Sequence, residues 1–188
     1  MKAVTSFGSN SGNKRALIDQ AIQHLSKVGD IVIGSSFYET EPWGFTCQEN
    51  FLNQITVFET SLSAIDFLRY CLKTETLLGR VRLADAPRYS SRPIDIDLLF
   101  FDAQIIQTEE LFLPHPRIQE RNFVLTPLME IMPDFVHPVF HKTISQLFYE
   151  STDPLEVKKI DMYESSIRRI SAPMAFSFSS ICSYPRSI

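Results

Sequence analysis

Residues 92–100, Arg-Pro-Ile-Asp-Ile-Asp-Leu-Leu-Phe, constrain this chain more than any other stretch. Pro93 opens an apolar run that two acids interrupt at a spacing of two. Alternate side chains of a strand share a face. Ile94, Ile96 and Leu98 are therefore predicted to enter a core, while Asp95 and Asp97 project together from the opposite face, about 7 Å apart. Two carboxylates on one face of an apolar strand are costly to bury unless something pairs them. Magnesium does so naturally, taking one or two carboxylates and completing its octahedron with water and phosphate oxygens. The plain alternative is a solvent-facing strand whose acids are merely hydrated.

The neighbouring charges favour the metal. Every Lys or Arg between Lys73 and Lys142 is an arginine: Arg80, Arg82, Arg88, Arg92, Arg117 and Arg121. Arginine grips phosphate oxygens in pairs through a planar fork, where lysine offers a point charge. The net charge is −4, which argues against a general nucleic-acid binder. A small, highly phosphorylated ligand fits an acidic chain with clustered arginines. There is no G-x-x-x-x-G-K-[ST] motif, and six glycines supply no kinase-type glycine loop. Side chains must then hold the phosphates. Carboxylates, arginines and a nucleotide together suggest phosphoryl transfer.

Strand periodicity marks residues 3–7, 31–40, 51–60 and 94–101, with a short strand over 104–107. Helices are predicted over 13–28, 63–78, 123–131 and 143–149. Ser63 and Asp66 suggest a capped helix start, and Gly79 a stop. The order β-α-β, β-α-β, then a hairpin and helices implies an α+β, ferredoxin-like sandwich, its mainly antiparallel central sheet flanked by helices. Residues 1–150 are expected to form this domain. Residues 151–188 are expected to be an extension or linker, with 171–188 rich in Ser and Phe and without clear period. No apolar run reaches the ~20 residues of a membrane helix, and the start resembles a strand more than a signal peptide. Three cysteines, Cys47, Cys71 and Cys182, show no C-x-x-C spacing, as expected for reduced thiols in the cytoplasm.

Several stretches in order resemble the 6-hydroxymethyl-7,8-dihydropterin pyrophosphokinase family over residues 2–148. They are Gly8-Ser9-Asn10; Thr40-Glu41-Pro42-Trp43-Gly44; Phe51-Leu52-Asn53; Glu75 with Gly79-Arg80-Val81-Arg82; Arg92 to Asp97; and Leu113-Pro114-His115 on to Arg121-Asn122-Phe123. Any one is weak, but the ordered set is specific. The resemblance implies transfer of diphosphate from MgATP to the pterin hydroxymethyl group, with AMP released, in folate synthesis. It implies Asp95 and Asp97 as ligands of two magnesium ions, and Arg80 and Arg92 at the transferring phosphates. Glu75, Arg82, His115 and Arg121 would then face ATP. Thr40, Pro42, Trp43, Gly44, Phe51, Asn53 and Phe123 would surround the pterin, with the two phenylalanines as aromatic walls. Loops 40–50 and 80–91 are expected to close over the substrates. A second folate-pathway enzyme joined through 151–188 is implied as a possible partner.

This chain departs from the family at Leu83, at Phe51 where tyrosine is commoner, and at Tyr89-Ser90-Ser91. Loop closure and rate are the properties those changes touch. Two rival readings are a D-x-D nucleotidyltransferase, disfavoured by the distance between Ser9 and Asp95 in sequence, and a non-catalytic pterin- or nucleotide-binding module. Ordinary core explains a Phe, and helix-surface solvation a Glu such as Glu75, without any ligand. His24, His137 and His141 are read as surface or internally satisfied residues.

Overall fold

The computed structural model describes residues 1–44, 49–81 and 92–160. Eight strands and four α-helices follow one another among them. They are β1 (Lys2–Ser9), α1 (Lys14–Leu25), β2 (Asp30–Gly34), β3 (Phe37–Thr40), β4 (Phe51–Glu59) and α2 (Ala64–Leu77). Then come β5 (Asp95–Phe101), β6 (Ile106–Gln107), β7 (Phe112–Leu113), α3 (Asn122–Ile131), α4 (Ile144–Glu150) and β8 (Val157–Ile160).

Six strands form one antiparallel sheet in the order β5-β1-β4-β3-β8, with β2 pairing the far half of β4. Strands β6 and β7 make a separate small hairpin. Alternation divides the sheet cleanly. Phe7, Ile96, Leu98 and Phe101 join one core cluster with Ala21 and Leu25 of α1 and Phe67 of α2. Its rings touch edge-on or tilted, with centroids 6.0–6.5 Å apart along Phe7, Phe58, Phe67 and Phe101. Each such buried ring contributes roughly 2–3 kcal/mol. Val4, Ile55, Leu99 and Phe100 face the other way, onto Leu125 and Leu128 of α3 and Leu147 of α4. A bulge between Val4 and Thr5 lets both Leu99 and Phe100 reach this second cluster.

The helix starts follow their caps. Asn13 accepts from the Ala16 N–H, Ser63 from that of Asp66, and Thr143 closes a full capping box with Gln146. Gly79 ends α2 at a positive φ of 92°, where a side chain would be strained.

Two boundaries differ from the sequence reading. The strand expected over 31–40 is two strands, because Ser35 interrupts it. The Ser35 hydroxyl accepts from the Ile55 N–H while the Ser35 N–H donates to the Ile55 carbonyl, stitching the break to β4. The sheet also continues past residue 150: β8 pairs antiparallel with β3 from Phe37↔Ile160 to Thr40↔Val157. Residues 161–188, and with them most of the expected extension, lie outside the described residues.

Candidate active site

The register of three strands builds the floor of a cavity of about 360 Å³. Gly8 of β1 stands between Asn53 of β4 and Asp95 of β5, and Ser6 stands between Ile55 and Asp97. Small residues in the middle strand leave the room. A Cβ added at Gly8 would lie 3.3 Å from Asn53 Oδ1 and 3.8 Å from the Phe51 ring. From the next strand out, Thr40 accepts a 2.9 Å hydrogen bond from the Asn53 amide and orients it.

Asp95 and Asp97 project from β5 into this cavity, with side chains 21% and 39% exposed. Ile94, Ile96 and Leu98 are buried in the core, as the alternation requires. Asp95 is gripped from two sides. Arg80 Nη1 donates to Asp95 Oδ1, and Arg92 Nε lies 3.4 Å from Asp95 Oδ2. Burial alone would raise the Asp95 carboxyl; Arg92 and Arg80 overcome it and hold the group below its ordinary pKa. Among the described residues, the ion-pair partner of Asp97 is Arg121, at 3.8 Å. Its carboxyl is pushed up to about 7, first by burial and then by the charge of Asp95, against the opposing pull of Arg121.

Glu75 sits beneath this wall, only 1% exposed. Its Oε1 accepts the Ile96 N–H at 2.8 Å and also a hydrogen bond from Arg80. β5 is the edge strand, so this carboxylate satisfies a backbone donor that no further strand could take. Glu75 is thus neither an exposed helix acid nor part of the cavity lining. The Gly8-Ser9-Asn10 stretch has a similar use. Asn10 Oδ1 accepts the Arg92 N–H at 2.8 Å and Asn10 N–H donates to the Arg92 carbonyl, which fixes the start of the carboxylate strand.

An adjoining wall comes from the segment after β7. The His115 N–H donates to the Leu99 carbonyl at 2.9 Å, laying the segment along β5. His115 Nδ1 accepts from the Arg117 N–H at 3.3 Å, which leaves its proton on Nε2. Burial, with help from Arg121 and Arg117, drives the His115 pKa down to about 4, so the ring is a neutral donor at pH 7. Arg121, Phe123 and Trp43 complete this side.

Of the residues singled out from sequence, Thr40, Trp43, Phe51, Asn53, Arg80, Arg92, Asp95, Asp97, His115, Arg121 and Phe123 meet at the one cavity. Pro42 and Gly44 lie on the same loop as Trp43 but do not line it, and Arg82 and Arg88 lie outside the described residues. Ser6 and Glu41 also line the cavity without having been singled out. Ser6 was recoverable, since it shares a strand face with Gly8. His137 is buried: its Nδ1 accepts from the N–H groups of Val139 and Phe140. Cys71 is a buried free thiol.

A carboxylate pair ringed by arginines, opposite an aromatic and amide pocket in an α+β sandwich, defines a phosphoryl-transfer type of protein. Comparison with known proteins makes this particular. The family model described as 7,8-dihydro-6-hydroxymethylpterin-pyrophosphokinase (HPPK) matches residues 4–133. A 2-amino-4-hydroxy-6-hydroxymethyldihydropteridine pyrophosphokinase of Methylorubrum extorquens is 42% identical over 137 residues, covering 72% of this chain and 85% of the relative. The folic acid synthesis protein fol1 of Schizosaccharomyces pombe is 37% identical over 166 residues, covering 87% of this chain. The chain spans only 22% of that yeast protein. Among solved structures, the Plasmodium falciparum HPPK-DHPS triple mutant with STZ-DHP superposes with a TM-score of 0.63 at 18% identity, over 79% of this chain and 43% of that one, a likeness of fold. The chain belongs to the HPPK family, and its matched region is a pyrophosphokinase domain, a transferase of folate biosynthesis.

Proposed function

We propose that this chain transfers diphosphate from MgATP to the hydroxymethyl group of 6-hydroxymethyl-7,8-dihydropterin and releases AMP. The observation that carries the reading is the opposition, across one cavity, of the Asp95–Asp97 pair with its arginines and the Phe51–Asn53–Thr40 surface. A flat heteroaromatic ring with donors and acceptors at its rim needs such aromatic walls and a fixed amide. The Asn53 amide, held by Thr40, is preset for that rim.

The donor set suits magnesium. Asp97 sits beside a second carboxylate, and the resulting upward push on its pKa is what a divalent cation would relieve. Asp95 and Asp97 would hold the metal, which would offset the negative charge of the bound phosphates. Among the described residues no cluster of three or more His, Cys, Asp or Glu side chains gathers at one point, so substrate phosphate and water would fill the remaining positions.

The protein's own part is positioning and electrostatics. The pterin hydroxymethyl oxygen forms a bond to the β-phosphorus, the bond from that phosphorus to the α-phosphate oxygen breaks, AMP leaves, and the hydroxyl proton is lost. Arg80 and Arg92 stand at the carboxylates, ready to stabilise charge growing on the transferring group. Arg121 and neutral His115 donate from the adjoining wall beside Asp97. Residues beyond β8 are read as a linker to another folate enzyme, a reading supported by the fused HPPK-DHPS relatives. No helix among the described residues is long and apolar enough to cross a membrane, and the cytoplasm is the proposed compartment.

The deciding assay follows nucleotide products with MgATP, with and without the pterin. AMP formed only with pterin is expected. ADP would make this a simple phosphoryl transfer and overturn the reading.

A further inference from the structure

Arg117 has no place in the mechanism above, and Trp43 enters only as a wall. Their geometry gives both more to do. The Arg117 guanidinium lies 4.3 Å from the centroid of the Trp43 ring, and that of Arg121 lies 5.2 Å from it. Arg117 does not reach there loosely. Its Nε donates to Glu120 Oε2 at 3.0 Å across the turn, and its N–H is bound to His115. Arg121 continues the stack onto Phe123 at 5.5 Å and points Nη1 toward Asp97.

Trp43 and these arginines belong to two different parts of the site. Trp43 follows β3, three residues after the Thr40 that orients the Asn53 amide. Arg117 and Arg121 belong to the segment that brings His115 alongside β5. One indole ring is thus the junction between the pterin side of the cavity and its phosphate side. We propose that Arg117 is a positioning residue for the pterin: stacked against Trp43, it straps the segment that follows β3 to the 115–121 segment and so holds Trp43 over the pterin side of the cavity. The assignment of sides rests on the function proposed above; the strap itself does not.

The chain's single tryptophan makes the strap directly visible. In the unliganded protein, Arg117→Ala should expose Trp43, raising its quenching by acrylamide, while Arg117→Lys keeps part of the protection. In steady-state assays, Arg117→Ala should raise the KM for pterin about fivefold, the size of one partly shielded cation–π contact, with kcat and the KM for ATP within about twofold of wild type. Trp43→Leu should raise the pterin KM similarly. The double variant should be no worse than Trp43→Leu alone, because the Arg117 contact is already lost with the ring. Additive losses, a KM effect on ATP alone, or unchanged acrylamide quenching would each overturn the proposal. If the wild-type chain forms no AMP, the proposed function fails, and the quenching arm still decides the strap.

Discussion

At β5 the cavity is held by charge against charge below the surface. Arg80 bridges Glu75 and Asp95, with Glu75 almost fully buried and also serving the Ile96 N–H. At the rim, the guanidinium groups of Arg117 and Arg121 lie 4.3 and 5.2 Å from the Trp43 ring centroid, and the Arg117–Glu120 pair beside it is partly exposed, at 32% and 49%. The two walls line one site with different physics. Low dielectric makes the β5 network expensive to break, because each partner removed leaves a buried charge or donor unpaired. The rim contacts are worth about 1 kcal/mol each and are screened by water. The difference separates charge that must be preset where it develops from a partly exposed wall whose contacts are individually weak.

The largest expected effect tests the rigid wall. Asp97→Ala should lower turnover by at least about a thousandfold while leaving the circular dichroism spectrum and melting cooperativity intact. Near-normal turnover would remove Asp97 from the chemistry, and an unfolded variant would make it structural. Glu75→Ala should destabilise the fold by about 2–3 kcal/mol in urea titrations, since it leaves the buried Ile96 N–H unpaired and takes from Arg80 one of its two carboxylates. A loss below about 1 kcal/mol would put this wall on a par with an exposed ion pair and dissolve the contrast. Gly8→Ala works at the boundary between the two walls. Its methyl group would crowd the Asn53 amide at 3.3 Å, so the pterin KM should rise roughly tenfold with little change in the KM for ATP. Equal changes in both constants would mean that the floor does not distinguish the two substrates.

A pH dependence is shared by the rim and a remote part of the fold. Burial holds His115 and His137 neutral, each with its pKa driven down to about 4 from 6.5. Between those values the unfolded chain binds more protons, so stability is complete above about pH 6.5 and declines as pH falls toward 4. His137→Gln should shallow that decline in urea midpoints measured at pH 4.5 and 7 without touching the KM for pterin. An unchanged slope would leave His115, beside the cavity, as its main source.

Much of this molecule was legible before any coordinates. The alternation of β5 set Asp95 and Asp97 on one face and Ile96 and Leu98 on the other, the cap read at Ser63 placed the start of α2, and periodicity placed the starts of α1 and α4 to within a residue or two. The resemblance gathered eleven residues that do meet at one cavity. Periodicity gave no warning of the break at Ser35, because a serine hydroxyl that substitutes for ladder geometry leaves the apolar pattern on either side unchanged. It also missed β8, whose Val-Lys-Lys-Ile is too short and too charged to announce a strand unless β3 is there to pair with it.

What the sequence determined alone is therefore local: the period of each element, the caps, the α+β class, and the supply of carboxylates and arginines without glycine-loop motifs. Those depend on interactions among neighbours in the chain, which a run of residues carries with it. The tertiary structure decided which charges meet. It turned Glu75 inward to an edge-strand N–H 21 residues away, and it brought the Trp43 ring onto Arg117. A side chain's partner across such a distance depends on strand register and helix placement together, and only the folded chain sets those.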